Sequence, residues 1–241
     1  MAKSPPYQRV LLKCSGEALM GGGAFGIDFA TLERIAADIA DVRSLGIDVG
    51  VVVGGGNLFR GVKTAASGMD RADADQMGML ATVMNGLALA DALRRGGTDA
   101  VAMSAIPMPT VCPAYSRHAA VAALTAGQVV ISAGGTGNPF FTTDTAAALR
   151  AAELGCDLLA KGTQVDGVYT ADPKKDPAAE RFDKVSHDEV LRRGLEVMDT
   201  AAVALTRENH IPVMVFDLHE QGSFAAALTG RGRSTTISDS A

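Results

Sequence analysis

Three times along this chain a short apolar run ends directly in a glycine-rich turn carrying charged or hydroxyl side chains. RVLLKC at 9–14 runs into Ser15-Gly16, IDVGVVV at 47–53 into GGGNLFRG at 54–61, and QVVISA at 128–133 into GGTGNPFFTTD at 134–144. Apolar runs without alternation describe strands buried on both faces, and such strands belong to parallel sheets covered by helices. The segments between them fit that frame. Leu32, Ile35, Ala36, Ile39 and Val42 recur at helical spacing after a capping Asp28, and Gly46 ends the helix. A long helix is predicted from Asp70 to Arg95, with Met77, Leu80, Met84 and Leu87 on one side. Strands follow at 99–103, 157–161, 212–216 and 235–237, with helices ending at Gly155 and near 187–194 and 199–209. The polar end after the last strand is expected to fray. Strand–helix alternation of this kind predicts an α/β fold with a mainly parallel sheet covered on both faces, and its ligands collect at the carboxyl edge of the strands.

Composition narrows the function classes. The 241 residues, about half of them apolar, allow one large domain or at most two small ones. The formal charge is -5 with no run of Lys or Arg, which argues against general nucleic-acid binding. Cys14, Cys112 and Cys156 have no metal or disulfide spacing, and His118, His187, His210 and His219 have no ligand spacing. No apolar run reaches the ~20 residues of a membrane span, so the expectation is a cytoplasmic protein without a membrane partner or protein metal site.

The glycine turns carry the chemistry. GxxxxGK[ST] is missing, so the familiar phosphate cradle is excluded. Lys13-Cys14-Ser15-Gly16 places an ammonium and backbone N–H groups where one phosphate could be neutralised, although a lysine at an exposed strand end reads the same way. In the second turn a helix beginning near Asn57 would aim its N–H groups at an anion, with Arg60 within one turn. The third turn combines flexible backbone, Thr136, Thr142, Thr143, the aromatic Phe140 and Phe141, and Asp144. Asp144 either caps the next helix, orients Lys13 or meets Mg²⁺. Asp75 and Asp199 near helix starts read equally as ligand contacts and as dipole compensation.

Taken together, LLKCSGEAL (11–19), AFGID (24–28), GVVVGGGNLFRG (50–61), DQMGMLATVMNGLAL (75–89), SAIPM (104–108), GTGNPFFTTD (135–144), KGTQVDGVYTADPKKDP (161–177) and EVMDTAA (196–202) resemble the bacterial uridylate kinase family of the amino acid kinase superfamily. The resemblance implies a three-layer α/β/α sandwich and a homohexamer that transfers a phosphoryl group from Mg²⁺-ATP to UMP. It implies one domain over 1–241, with an acceptor half to about 155 and a donor half after it. Lys13, Cys14, Ser15, Gly16, Gly56, Arg60, Thr163, Tyr169 and Asp172 look like the ATP site. Gly55, Asp75 and the run Thr136, Gly137, Asn138, Pro139, Phe140, Phe141, Thr142 and Thr143 look like the UMP site. Lys13, Arg60, Asp144, Asp199 and Lys161 carry the expected catalytic roles. Gly21, Gly22, Gly23, Ala24, Phe25 and Gly26 match a GTP-effector segment, with UTP as the expected inhibitor. A kinase for another small acceptor, or a binding protein without turnover, shares much of this pattern.

Overall fold

The computed structural model describes residues 7–59, 68–173 and 175–239. In chain order the elements are β1 (Arg9–Cys14), a 3-10 turn (Gly16–Met20), α1 (Phe29–Ser44), β2 (Asp48–Val53), α2 (Arg71–Arg95), β3 (Ala100–Ser104), α3 (Arg117–Thr125), β4 (Val129–Ala133), α4 (Thr143–Leu154), β5 (Leu158–Thr163), β6 (Lys184–Ser186), α5 (His187–Arg193), α6 (Thr200–Glu208), β7 (Val213–Asp217), α7 (Ser223–Leu228) and β8 (Ser234–Ser238). The strands form one sheet in the order β3-β4-β2-β1-β5-β7-β8-β6. Six run parallel from β3 to β7; β8 returns antiparallel to β7, and β6 lies parallel to β8.

Alternation along the buried strands builds the two cores. Val10, Leu12 and Cys14 of β1 pack with Leu32, Ile35, Leu89 and Phe224, under α1, α2 and α7. Leu11, Val52, Leu159 and Val215 meet Ala147, Leu154 and Val203 on the other face, under α3, α4, α5 and α6. This is the three-layer sandwich, with strands within a residue or two of the predicted runs. Three short elements were not foreseen. β6 has three residues and exists through its pairing with β8, and α3 and α7 are alanine-rich pieces of too few turns to show a period.

Other expectations are refined. At Asn57 the chain is in a turn, with Leu58 and Phe59 both donating to the Gly55 carbonyl, and the residues that would continue a helix from there, Arg60 among them, lie outside the described residues. Met77, Leu80 and Met84 do share a side of α2, but it is the outer one, 42%, 47% and 58% exposed, while the core face combines Leu89 and Leu93 with small residues such as Ala74, Ala81, Gly86 and Ala90. The polar stretch after the last strand is held as far as Asp239, which bonds His187 Nδ1 at 3.1 Å and His210 Nδ1 at 2.6 Å, and residues 240–241 lie outside the described residues.

The first two glycine turns are stacked on each other. Gly54 donates its N–H to the Cys14 carbonyl at 2.9 Å. A Cβ on Gly16 would lie 2.7 Å from the Gly56 nitrogen and 2.8 Å from the Gly54 oxygen, while one on Gly56 would meet nothing nearer than 3.8 Å. Backbone cannot retreat as a side chain can, so Gly16→Ala is expected to destabilise the fold by about 1–3 kcal/mol. Gly56→Ala is expected to melt near the wild type. Thermal unfolding of the two variants checks this, and equal melting temperatures would contradict it.

Candidate active site

Parallel pairing of β1 and β5 sets Lys13 opposite Lys161. Both side chains leave the same face of the sheet near its carboxyl edge, and two ammoniums placed side by side repel. Asp144 relieves this: its Oδ1 lies 2.9 Å from Lys13 Nζ and its Oδ2 2.8 Å from Lys161 Nζ. Lys161 also donates to the Val197 carbonyl. All three side chains are mostly buried. Burial pushes the Asp144 carboxyl upward, but the two ammoniums pull harder and hold it below the usual carboxylate range. Burial lowers the Lys161 ammonium, the attraction of Asp144 opposes that, and the nearby Lys13 charge helps keep it below its ordinary value. One carboxylate thus serves two cations, and the cluster is left with a positive charge.

Asp144 is not the helix cap. Thr142 caps α4, accepting from the Asp144 N–H at 3.1 Å and the Thr145 N–H at 3.3 Å. The Thr142 hydroxyl donates in turn to Asp199, which also accepts from Thr145 Oγ1 at 2.8 Å and caps α6 through the Ala202 N–H at 2.9 Å. Asp199 therefore ties the starts of α4 and α6 together, and its hydrogen bonds go to threonines and backbone rather than to a lysine.

Two cavities open beside the cluster. One, of about 540 Å³, is lined by Lys161, Thr163, Tyr169, Asp172 and the segment 193–197. The other, of about 250 Å³, is lined by Gly55, Gly56, Asp75, Thr136, Phe141, Thr142 and Thr143 among others. Gly137, Asn138, Pro139 and Phe140 line neither, although the exposed Phe140 reaches the second cavity's wall by donating its N–H to Asp75 at 2.8 Å. Phe140 holds a left-handed backbone, φ 70°, which costs an aromatic residue about 1–3 kcal/mol and persists only where neighbours enforce it. Cys14 points away into the core, where burial pushes its thiol up to about 12, so only its backbone is available to a ligand. Cys14, Cys112 and Cys156 are free and buried.

The props of these loops escaped the sequence reading. The Thr82 hydroxyl accepts from the Gly134 N–H at 2.8 Å. The buried Arg150 donates to the Gly135 carbonyl at 3.2 Å and lies 3.9 Å from the Tyr115 ring centre. Asn85 donates to the Gly54 carbonyl at 2.7 Å and to Asn57 Oδ1 at 2.6 Å, while Asn57 donates to the Gly26 carbonyl at 2.9 Å. The exposed 21–26 segment is thereby joined to the second glycine turn. Arg71, 4 residues before Asp75, pairs with its carboxylate at 2.8 Å. A helix-spaced Arg–Asp pair was the one available signal; the other partners are far apart in sequence.

The profile of the Amino acid kinase family matches residues 8–217. "Uridylate kinase" from Agrobacterium fabrum is 63% identical over 239 residues, covering 99% of each chain. "Uridylate kinase" from Rhizobium meliloti is 61% identical over 99% of this chain and 100% of its own. Among solved structures, UMP kinase from Bacillus anthracis superposes with a TM-score of 0.94 at 39% identity, over 98% of both chains. UMP kinase from Ureaplasma parvum does so at 0.92 and 37%, over 96% of this chain and 98% of its own.

Asp144→Asn leaves two buried ammoniums facing each other and is expected to destabilise the protein by about 3–5 kcal/mol at neutral pH. A carboxyl held below its unfolded value of about 3.9 stabilises fully above that pH and less as pH falls through the folded value. The difference between wild type and variant should therefore shrink below about pH 4. Denaturant unfolding across pH measures it, and a difference that grows on acidification would refute the pairing.

Proposed function

The chain belongs to the amino acid kinase family and to the uridylate kinases within it, and from that premise we propose that it transfers the γ-phosphoryl group of ATP to UMP, giving ADP and UDP. The observation that carries this reading is a positive, mostly buried Lys13–Asp144–Lys161 cluster beside two cavities at one sheet edge. The larger cavity takes the ATP base and ribose, against Thr163, Tyr169 and Asp172. The smaller takes UMP, with Asp75 accepting from the ribose and Thr136, Phe141, Thr142 and Thr143 of the 136–143 run around the base. Lys13, Ser15, Gly16, Gly56 and Arg60 serve the ATP phosphates. The acceptor and donor halves, to about residue 155 and after it, follow the same division.

A phosphate oxygen of UMP is ionised at neutral pH and needs no general base. It attacks the γ-phosphorus in line, one O–P bond forming as the bond to the ADP oxygen breaks. Catalysis then reduces to alignment and to neutralising the charge spread over the transferred group. Lys13 and Lys161 supply that charge, with Asp144 keeping both aimed, and Asp199 fixing the start of α4 behind them. Mg²⁺ belongs to this proposal with ATP. Both Asp144 oxygens are held by lysines, so phosphate oxygens and waters are the ligands that suit the ion, and its contribution there is charge neutralisation.

The resemblance extends the reading to a cytoplasmic enzyme of pyrimidine nucleotide synthesis, activated by GTP and inhibited by UTP. In support of an effector at 21–26, that exposed segment is bonded through Asn57 to the second glycine turn. No helix among the described residues is long and apolar enough to cross a membrane. Exposed Met77, Leu80 and Met84 form an apolar strip on α2 that favours association between copies of the chain, and the hexameric number comes from the resemblance.

ATP-dependent UDP formation, assayed with and without GTP, tests the function; no turnover with UMP would reject it. Lys13→Ala is expected to lower kcat by about 10²–10³-fold, the scale for losing one preorganised charge-stabilising donor. Steady-state kinetics in which KM for UMP rises and kcat stays near the wild-type value would remove Lys13 from that role.

A further inference from the structure

The wall of the smaller cavity contains a guanidinium that the proposed reaction leaves without a task. Arg71 Nε donates to both oxygens of Asp75, at 2.9 and 2.8 Å. Asp75 Oδ2 accepts in addition the Phe140 N–H at 2.8 Å. The Arg71 guanidinium carbon stands 5.8 Å from the centre of the Phe140 ring. Arg71 lines the same cavity as Gly55, Gly56 and Asp75, and its terminal amino groups have no hydrogen-bond partner among the described residues. Two groups from two distant segments therefore meet on one carboxylate, and one of them is a residue held in left-handed backbone.

We infer that Arg71 is a positioning residue for the acceptor nucleotide: it orients and neutralises Asp75 and holds Phe140 in place through it. The inference rests on the UMP reading above and deepens it. Two physical needs converge on this residue. A carboxylate in the wall of a cavity that takes a nucleotide monophosphate would repel the incoming dianion unless a cation offsets it. An oriented carboxylate is also a better acceptor for sugar hydroxyls than a mobile one, because less freedom is lost on binding. The guanidinium meets both needs, holding Asp75 through Nε while its plane lies near an aromatic ring. Lysine would supply the charge without the planar group. Among the described residues nothing ties Arg71 to the larger cavity, so its influence is expected on the acceptor.

Steady-state kinetics of the full-length protein separate this from a merely structural role. Arg71→Ala is expected to raise KM for UMP at least about tenfold, the equivalent of about 1.4 kcal/mol, with KM for ATP unmoved and kcat falling less than KM rises. Arg71→Lys should recover part of the UMP affinity. Because Arg71 acts through Asp75, adding Arg71→Ala to Asp75→Asn should change KM for UMP far less than adding it to the wild type. An active wild type whose KM for UMP is unchanged by Arg71→Ala would overturn the inference alone. So would equal rises in both KM values, or effects of Arg71→Ala and Asp75→Asn that simply multiply. A wild type inert toward UMP would instead overturn the kinase reading, and this inference with it.

Discussion

One carboxylate shared by two lysines is the interaction around which the site is organised. The register of two neighbouring parallel strands puts Lys13 and Lys161 opposite each other, and mostly buried like charges are tolerable only with an anion between them. Asp144 has to come from outside the sheet, from the first turn of α4. That helix is held by Thr142 at its cap and by the bonds of Thr142 and Thr145 to Asp199 at the start of α6. The sheet, two helix starts and the third glycine turn are thus fixed by one electrostatic requirement. The same arrangement leaves an excess positive charge between two cavities, which is what a group moving between two phosphates needs.

The outline of the fold was legible because buried parallel strands write themselves as unbroken apolar runs and glycine turns mark their ends. The carboxyl edge followed from that pattern, and so did the meeting of Lys13, Asp144 and the 136–143 run near one place. Less legible was why particular glycines are there. A turn of three glycines invites a ligand, yet Gly16 and Gly54 are required by contact of one turn with another. Period alone also misled for α2. Met77, Leu80 and Met84 share a side, but close packing on β4 requires small residues such as Gly86, and these three are turned outward while Leu89 and Leu93 face the core.

What could not be read at all were the props. Thr82, Asn85 and Arg150 act on Gly134, Gly54 and Gly135 across 52, 31 and 15 residues, and their own neighbours in the chain carry no trace of it. Their effect is to fix backbone that glycine would otherwise leave loose, so flexibility in the sequence becomes rigidity in the fold. The short α3, β6 and α7 escaped for a related reason: they owe their existence to packing partners more than to any local period.

The proposed reaction requires two nucleotides to meet at the lysine cluster, and an experimental structure with ADP and UMP both bound tests it most directly. The predicted result has the bases in separate cavities and the β-phosphate of ADP and the phosphate of UMP converging beside the Lys13 and Lys161 ammoniums. Nucleotides bound with their phosphates apart from each other and from both lysines would contradict it.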